Sequence, residues 1–241
     1  MGWSAAVFDL FFTLAFPTQY PGGHDRCSWL ARLTGINEQI WGQRWEDFEP
    51  TLERGAASAR PLGSPEPDWV ETVSREEGVS LTPEVSREIH ADWDLAQREG
   101  LASPPEPALQ LLRALRVRSC RLGLLSNTHA LEVRTWPTSP LAPLFDAVGF
   151  SHQIGALKPA PGSYAAVLEI LGTNARDAAY IGDGSSGELA GAKAAGFGIV
   201  ILVSEAAELH APHRLGALHG EADFTARHID EVQSLLGIHN R

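Results

Sequence analysis

The sequence predicts an α/β fold, a doubly wound parallel sheet interrupted by an inserted α-helical cap. Three observations carry that prediction. Short apolar runs of strand length, Ala5 to Asp9, Leu122 to Leu125, Ala178 to Ile181 and Ile199 to Val203, alternate in the second half of the chain with Ala-rich stretches of helical character. That is the rhythm of parallel strands joined by crossovers. Between the first run and the second lies a long segment without a recognisable strand, which therefore reads as helical. Prolines bracket it, Pro17 on one side and Pro104 with Pro105 on the other, and proline-containing connections suit the two strands of a hinge.

The first element is VFDLFFTL, residues 7 to 14, an apolar run broken by Asp9 and Thr13. In the bracketed segment the apolar spacing predicts helices at His24 to Leu33, Asn37 to Arg54, Asp68 to Glu77 and Thr82 to Arg98, with GAASARPLGSPEPD (55 to 68) as a loop. Five of the seven tryptophans, Trp29, Trp41, Trp45, Trp69 and Trp93, fall there. They give the segment aromatic bulk for a small core of its own. The chain ends in the helix-like HIDEVQSLLG.

At 241 residues the chain is long enough to bury a substantial core. A formal net charge of −11 with no basic stripe argues against nucleic acid, and no polybasic run would hold an anionic membrane, so small molecules are the expected partners. Two cysteines, Cys27 and Cys120, are too few for a disulfide framework and point to a reducing cytoplasm. The first residues lack a basic n-region, and Asp9 interrupts their apolar run, so neither a signal peptide nor a membrane span is expected.

Four chemically distinctive features follow one another: Asp9 in VFDLFFTL, Ser126 with Asn127 in LGLLSNT, Lys158 in GALKPAPGSY, and Asp183 with Glu188 in YIGDGSSGELAGAKAAG. Singly, each has an ordinary reading, as a solvent-facing strand end, a strand-end turn or a solvated loop charge. Together they lie at or just after predicted strands or in a following loop, and the C-terminal ends of parallel strands collect on one edge where ligands bind. Lys158 stands out further, because the chain has seventeen arginines and, beside it, one other lysine, Lys193. A lysine kept among arginines suggests a need for a compact ammonium.

In order and spacing these motifs resemble the haloacid dehalogenase-like hydrolase superfamily, in the branch with a helical cap inserted just after the first strand; the resemblance runs from Ala5 to HIDEVQSLLG. It implies a Rossmann-like core, residues 1–16 and 104–241, and a helical cap, residues 17–103. By this resemblance Asp9 is the nucleophile. Mg²⁺ is expected to be held by Asp9, the main-chain carbonyl of Phe11 and Asp183, with Glu188 in an outer position. Lys158 is expected to place its charge on the substrate and on Asp9, with Ser126 and Asn127 binding a phosphoryl group. The resulting expectation is a Mg²⁺-dependent phosphatase of a small phosphorylated metabolite that acts through an aspartyl-phosphate.

The sequence departs from that pattern at two positions. Phe11 stands where phosphatases of this family carry the aspartate that exchanges protons with leaving group and water, and Phe12 replaces the usual glycine after it. Positioned proton transfer is typically worth about 10² to 10⁴ in rate, so turnover is expected to favour good leaving groups. Two alternatives stay open: a 2-haloacid dehalogenase-like hydrolase, whose family members carry an aromatic at the Phe11 position, attack carbon and need no metal but end in a Ser-Ser-Asn pattern, and a weak or inactive scaffold with a binding role. A rival from another class is a dinucleotide site, since Gly182, Gly184 and Gly187 form a G-x-G-x-x-G after a strand. Arg44, Trp45 and Arg54 are cap residues that could face the site, and His210, His213 and His219 read as solvated surface.

Overall fold

The computed structural model describes residues 2–17, 24–55, 69–128 and 132–237. Six strands form one parallel sheet: β1 (Ala5–Phe8), β2 (Arg121–Ser126), β3 (Ala147–Phe150), β4 (Ala178–Gly182), β5 (Ile199–Val203) and β6 (Phe224–Ala226). Their order is β3-β2-β1-β4-β5-β6, so the sheet grows outward in both directions from the β1/β4 pair. Such a reversal opens a crevice beyond the strand C-termini, the usual ligand position in this architecture.

The strands alternate by face, with Ala6, Phe8, Leu122, Leu124, Ala179 and Ile181 on one side and Ala5, Val7, Leu125, Tyr180, Val200 and Leu202 on the other. α5 (Glu106–Val117) covers the first face with Leu111, Leu112 and Leu115. α7 (Pro161–Leu171) and α8 (Glu188–Ala194) cover the second with Tyr164, Val167 and Leu189. Apolar runs buried on both faces explain why β1, β4 and β5 read as near-continuous hydrophobic stretches. Two strands have no such signature. β3 is the four-residue AVGF, and β6 is the three-residue FTA, two residues of which are exposed at the sheet edge.

The cap consists of α1 (His24–Thr34), α2 (Glu38–Gly55), α3 (Trp69–Glu76) and α4 (Pro83–Ala102), inserted between β1 and α5. Its helices match the expected spans to within a few residues. α4 starts with Thr82 accepting a hydrogen bond from the Val85 amide, a cap that satisfies one N–H of the first turn. Cys27, Leu30, Ile36, Trp41, Val70, Val73 and Ile89 form a core separate from the sheet's, with Trp41 fully buried and Trp29 packed against it. The loop expected at 55–68 lies outside the described residues from 56 onward. Both cysteines are free thiols and buried. Among the described residues no helix is long and apolar enough to cross a membrane.

Candidate active site

Four loops leave the strand C-termini around the β1/β4 crevice. Asp9 follows β1 directly, its amide donating to the Ile181 carbonyl of β4 at 2.9 Å, which locks the strand end while the side chain turns upward. Ser126 is the last residue of β2, and Asp183 follows β4. Lys158 sits in the connection between α6 (Ser151–Ile154) and α7. These four residues, with Asn127, line one cavity of about 240 Å³. Residues up to 174 positions apart in sequence thus meet because parallel strands point their ends the same way.

The floor of the cavity is a hydrogen-bonded ionic network. Lys158 Nζ donates to Asp9 Oδ1 at 2.5 Å and also to Glu188 Oε2. Thr13 Oγ1 donates to Asp9 Oδ2 at 3.2 Å, so both carboxylate oxygens of Asp9 are held. Glu188 lies beneath, fully buried, and accepts the Tyr180 hydroxyl at 2.8 Å on Oε2 and the Gly184 amide at 3.0 Å on Oε1. Gly182 makes room for it, since a Cβ there would meet Glu188 Oε1 at 2.0 Å. The amide of Gly184, at φ +88°, is turned onto the same carboxylate. The G-x-G-x-x-G loop is therefore wrapped around a glutamate, and an amide that a dinucleotide pyrophosphate would need is already engaged.

Burial pushes the Asp9 carboxyl up to about 6, against the pull of the Lys158 ammonium. Burial and the nearby charge of Asp9 push Asp183 up to about 6 as well. Burial favours the neutral form of Lys158, but the carboxylates of Asp9 and Glu188 outweigh it and hold the amine charged, above the ordinary lysine range. Burial and Glu188 raise Tyr180 well above its usual value, so its hydroxyl remains a donor.

Oxygens of Asp9, Asp183 and Glu188 lie within 4.8 Å of one another, a buried cluster geometrically suited to a cation. All-oxygen donors of this kind fit a hard divalent ion. Asp9 and Asp183 border the cavity, whereas both oxygens of Glu188 are engaged by the protein.

Part of the cavity wall is aromatic. Phe11 and Phe12 both line it, and Phe12 adopts φ +63°, the left-handed conformation that glycine favours. The backbone thus keeps a glycine-like turn while carrying a phenyl ring, at a cost of about 1 to 2 kcal/mol. The ring packs edge-on to Phe16 at 6.5 Å and to His210 at 6.1 Å, contacts that offset part of the strain. Trp45 of α2 and Gln97 of α4 close the cavity from the cap side.

Asn127 lines the cavity and also clamps the backbone of Lys158: its Oδ1 accepts the Lys158 N–H at 2.8 Å and its Nδ2 donates to the Lys158 carbonyl at 3.0 Å. Arg44 turns away, pairing with Glu76 and, at 3.5 Å, with Glu77 in the cap; the Arg54 side chain lies outside the described residues. His210, His213 and His219 are all exposed, as expected, and His210 also borders the cavity against Phe12. Sequence reasoning gave no role to Thr13, Tyr180, Gln97 or Arg214. Thr13 had a signal, as the second polar residue in an apolar run, and so had Tyr180, a hydroxyl inside a buried strand that needs a partner. Gln97 and Arg214 had none.

A family model described as haloacid dehalogenase-like hydrolase matches residues 18–196. No curated protein sequence is a significant match. Among solved structures the chain is similar to an L-2-haloacid dehalogenase, 21% identical with a TM-score of 0.69, covering 98% of this chain and 100% of that one. It is similar to the L-2-haloacid dehalogenase from Xanthobacter autotrophicus with chloropropionic acid covalently bound, 20% identical with a TM-score of 0.68, covering 98% of each chain. A phosphatase from Thermococcus onnurineus is also similar, 19% identical with a TM-score of 0.56, covering 97% of this chain and 98% of that one.

The expectation of a Mg²⁺-dependent phosphatase with impaired turnover is corrected by these findings. The cluster of Asp9, Asp183 and Glu188 is intact, and the fold superposes better on the dehalogenases than on that phosphatase. The physical reason lies in the cavity. Lys158 directs its ammonium at two carboxylates, the Asn127 amide at the Lys158 backbone, and the residue two after Asp9 is a ring that cannot transfer a proton.

Proposed function

The chain belongs to the haloacid dehalogenase-like hydrolase family, and from that premise we propose that it hydrolyses small 2-haloalkanoic acids by displacement at carbon. The observation that carries this reading is the Phe11 ring in the cavity wall beside Asp9. An alkoxide leaving group needs a proton and a halide does not, so a phenyl group at that position is no handicap to dehalogenation. The covalently bound chloropropionic acid of the Xanthobacter enzyme supports attack on carbon within this fold.

In this reaction a carboxylate oxygen of Asp9 attacks C2, the C–halogen bond breaks with its electron pair leaving as halide, and an ester of Asp9 forms. Water then adds to the ester carbonyl, releasing the 2-hydroxy acid and a proton and restoring Asp9. Lys158 and Thr13 fix the carboxylate for attack and stabilise the charge that returns to it. Asp183, within 4.8 Å of Asp9, takes the water's proton, and Ser126 hydrogen-bonds the substrate. Phe11, Phe12 and Trp45 exclude water from the displacement step.

Magnesium is our reading of the cation that the acidic cluster suits. Asp9, Asp183 and the Phe11 carbonyl would hold it with Glu188 behind, and it would supply positive charge toward an anionic substrate. The same proposal takes residues 17–103 as the cap and 1–16 with 104–241 as the core. The two buried free thiols support a reducing, cytoplasmic location.

Halide release from 2-chloro- and 2-bromopropionate, with and without a chelator, tests the activity. Release by the wild type, and none by Asp9→Asn, is expected. A folded wild-type protein that releases no halide from either acid would falsify the proposal.

A further inference from the structure

The reacting groups of the cavity belong to the sheet edge, where Asp9, Ser126 and Lys158 line it. Its cap side holds a polar group that the displacement at carbon does not use. Gln97 of α4 is 4% exposed, lines the cavity, and its Oε1 has no hydrogen-bond partner among the described residues. Burial takes water from an amide without replacing it, so a ligand atom that completes the amide restores what burial removed.

Gln97 is also held in place. Three residues further along α4, a Cβ at Gly100 would meet the Phe16 carbonyl oxygen at 2.9 Å, so the helix lies directly against the chain that follows Phe12. The next residue, Leu101, is fully buried, and its carbonyl accepts the Ser139 hydroxyl at 2.7 Å. The end of α4 is thus fastened at two points, and the amide is offered from a rigid support.

Charge and donor count decide what completes it. Among the described residues Asp9, Asp183 and Glu132 bring carboxylates to the lining, and its cations are already committed: Lys158 donates to Asp9 and Glu188, and Arg214 to the Gly184 carbonyl. A second anionic group on the substrate would add to that acidic excess, whereas a neutral one would not. Amide oxygen and nitrogen exchange by a half-turn of the group, and a hydroxyl, being both donor and acceptor, matches either orientation.

We propose that Gln97 is a specificity-determining residue that hydrogen-bonds a hydroxyl on the carbon chain of the substrate, so that hydroxylated 2-haloalkanoic acids are preferred. This deepens the haloacid reading and rests on it for the reacting carbon.

The test measures kcat/KM for halide release from two pairs, 2-chloropropionate with 2-chloro-3-hydroxypropionate and 2-chlorobutyrate with 2-chloro-4-hydroxybutyrate, in the wild type and Q97L. In the wild type at least one hydroxylated acid should exceed its plain counterpart about tenfold or more, and Q97L should bring that ratio close to one. A merely structural glutamine would move both members of a pair together, so a ratio that Q97L leaves unaltered, or no preference in the wild type, overturns the proposal. Should Q97L not fold, Q97M decides by the same ratio. If the wild type releases halide from none of these acids, the haloacid reading has failed, and calorimetric titration with butyrate and 4-hydroxybutyrate judges Gln97 by itself. Tighter binding of 4-hydroxybutyrate that the variant abolishes supports the assignment, and equal or absent binding of the two, or a preference that survives the substitution, overturns it.

Discussion

The sheet edge and the cap meet at one cavity, yet they are built on different principles. On the sheet edge the charged groups are tied together: Lys158 with Asp9 and Glu188, Glu188 with Tyr180 and Gly184, and Asp9 with Thr13. The cap carries its own core around Trp41 and sends Trp45 and Gln97 to the cavity, with the Gln97 Oε1 unmatched. A rigid, satisfied network fixes the reacting groups, while a separately packed lid leaves room for a ligand to complete it. The acidic cluster thereby sits on the core, while the cavity wall draws residues from both the core and the cap.

That contrast is broken most severely at Glu188. Glu188→Ala leaves the buried Lys158 with one carboxylate and strands the Tyr180 hydroxyl, so we expect a loss of about 3 to 5 kcal/mol in urea unfolding. Arg44→Ala, which removes an ion pair on the cap surface, should cost no more than about 1 kcal/mol and leave KM unchanged. Comparable losses in the two variants would erase the distinction.

The pH profile sharpens it next. Attack needs ionised Asp9, whose carboxyl lies at about 6, so halide release by the metal-free protein should fall as pH drops through about 6, approaching tenfold per unit below it. Stability moves the other way. Because the folded pKa of Asp9 is raised from 3.8, its protonated form favours the fold. The contribution is full below about pH 3.8 and is lost as pH rises through about 6. Activity that holds level from pH 7 to 5 would contradict the assignment of Asp9 as an ionised nucleophile.

Phe12 gives a smaller effect. Phe12→Ala loses the ring and keeps the left-handed backbone, whereas Phe12→Gly loses the ring and relieves the strain. The glycine variant should be the more stable by about 1 kcal/mol, read from unfolding midpoints. Smallest of all in stability is Trp45→Ala, next to Arg44 on the same helix. It should raise KM several-fold while shifting the melting temperature little, because Trp45 faces the cavity and Trp41 holds the cap core.

Much of the core was legible because its signals are local. Ala5 to Phe8, Ala178 to Gly182 and Ile199 to Val203 bury both faces and so read as unbroken apolar runs. β3 and β6 were not legible: AVGF is too short and FTA too exposed for hydrophobic periodicity to mark them. In the site, Asp9, Ser126, Lys158 and Asp183 stood out as polar residues at strand ends. Asn127 stood out too, but its amide holds the backbone of a residue 31 positions away, which no local pattern announces. The phosphatase expectation came from the resemblance that the four motifs carry together, which could not show that the glutamate of GDGSSGE is bound into a network with Lys158 and Tyr180.

The sequence by itself determined the family, the parallel sheet, the inserted helices and the chemical types gathered at the sheet edge, because each follows from short-range periodicity or motif spacing. Tertiary structure alone decided which partners those groups would take. Lys158 turns to Glu188 as well as Asp9, Phe12 holds a glycine's conformation against Phe16 and His210, and Arg214 and Gln97 arrive at the cavity from segments with no motif. The physical reason is that burial drives most polar groups to find a partner, and which partner is nearest depends on how the helices pack on the sheet.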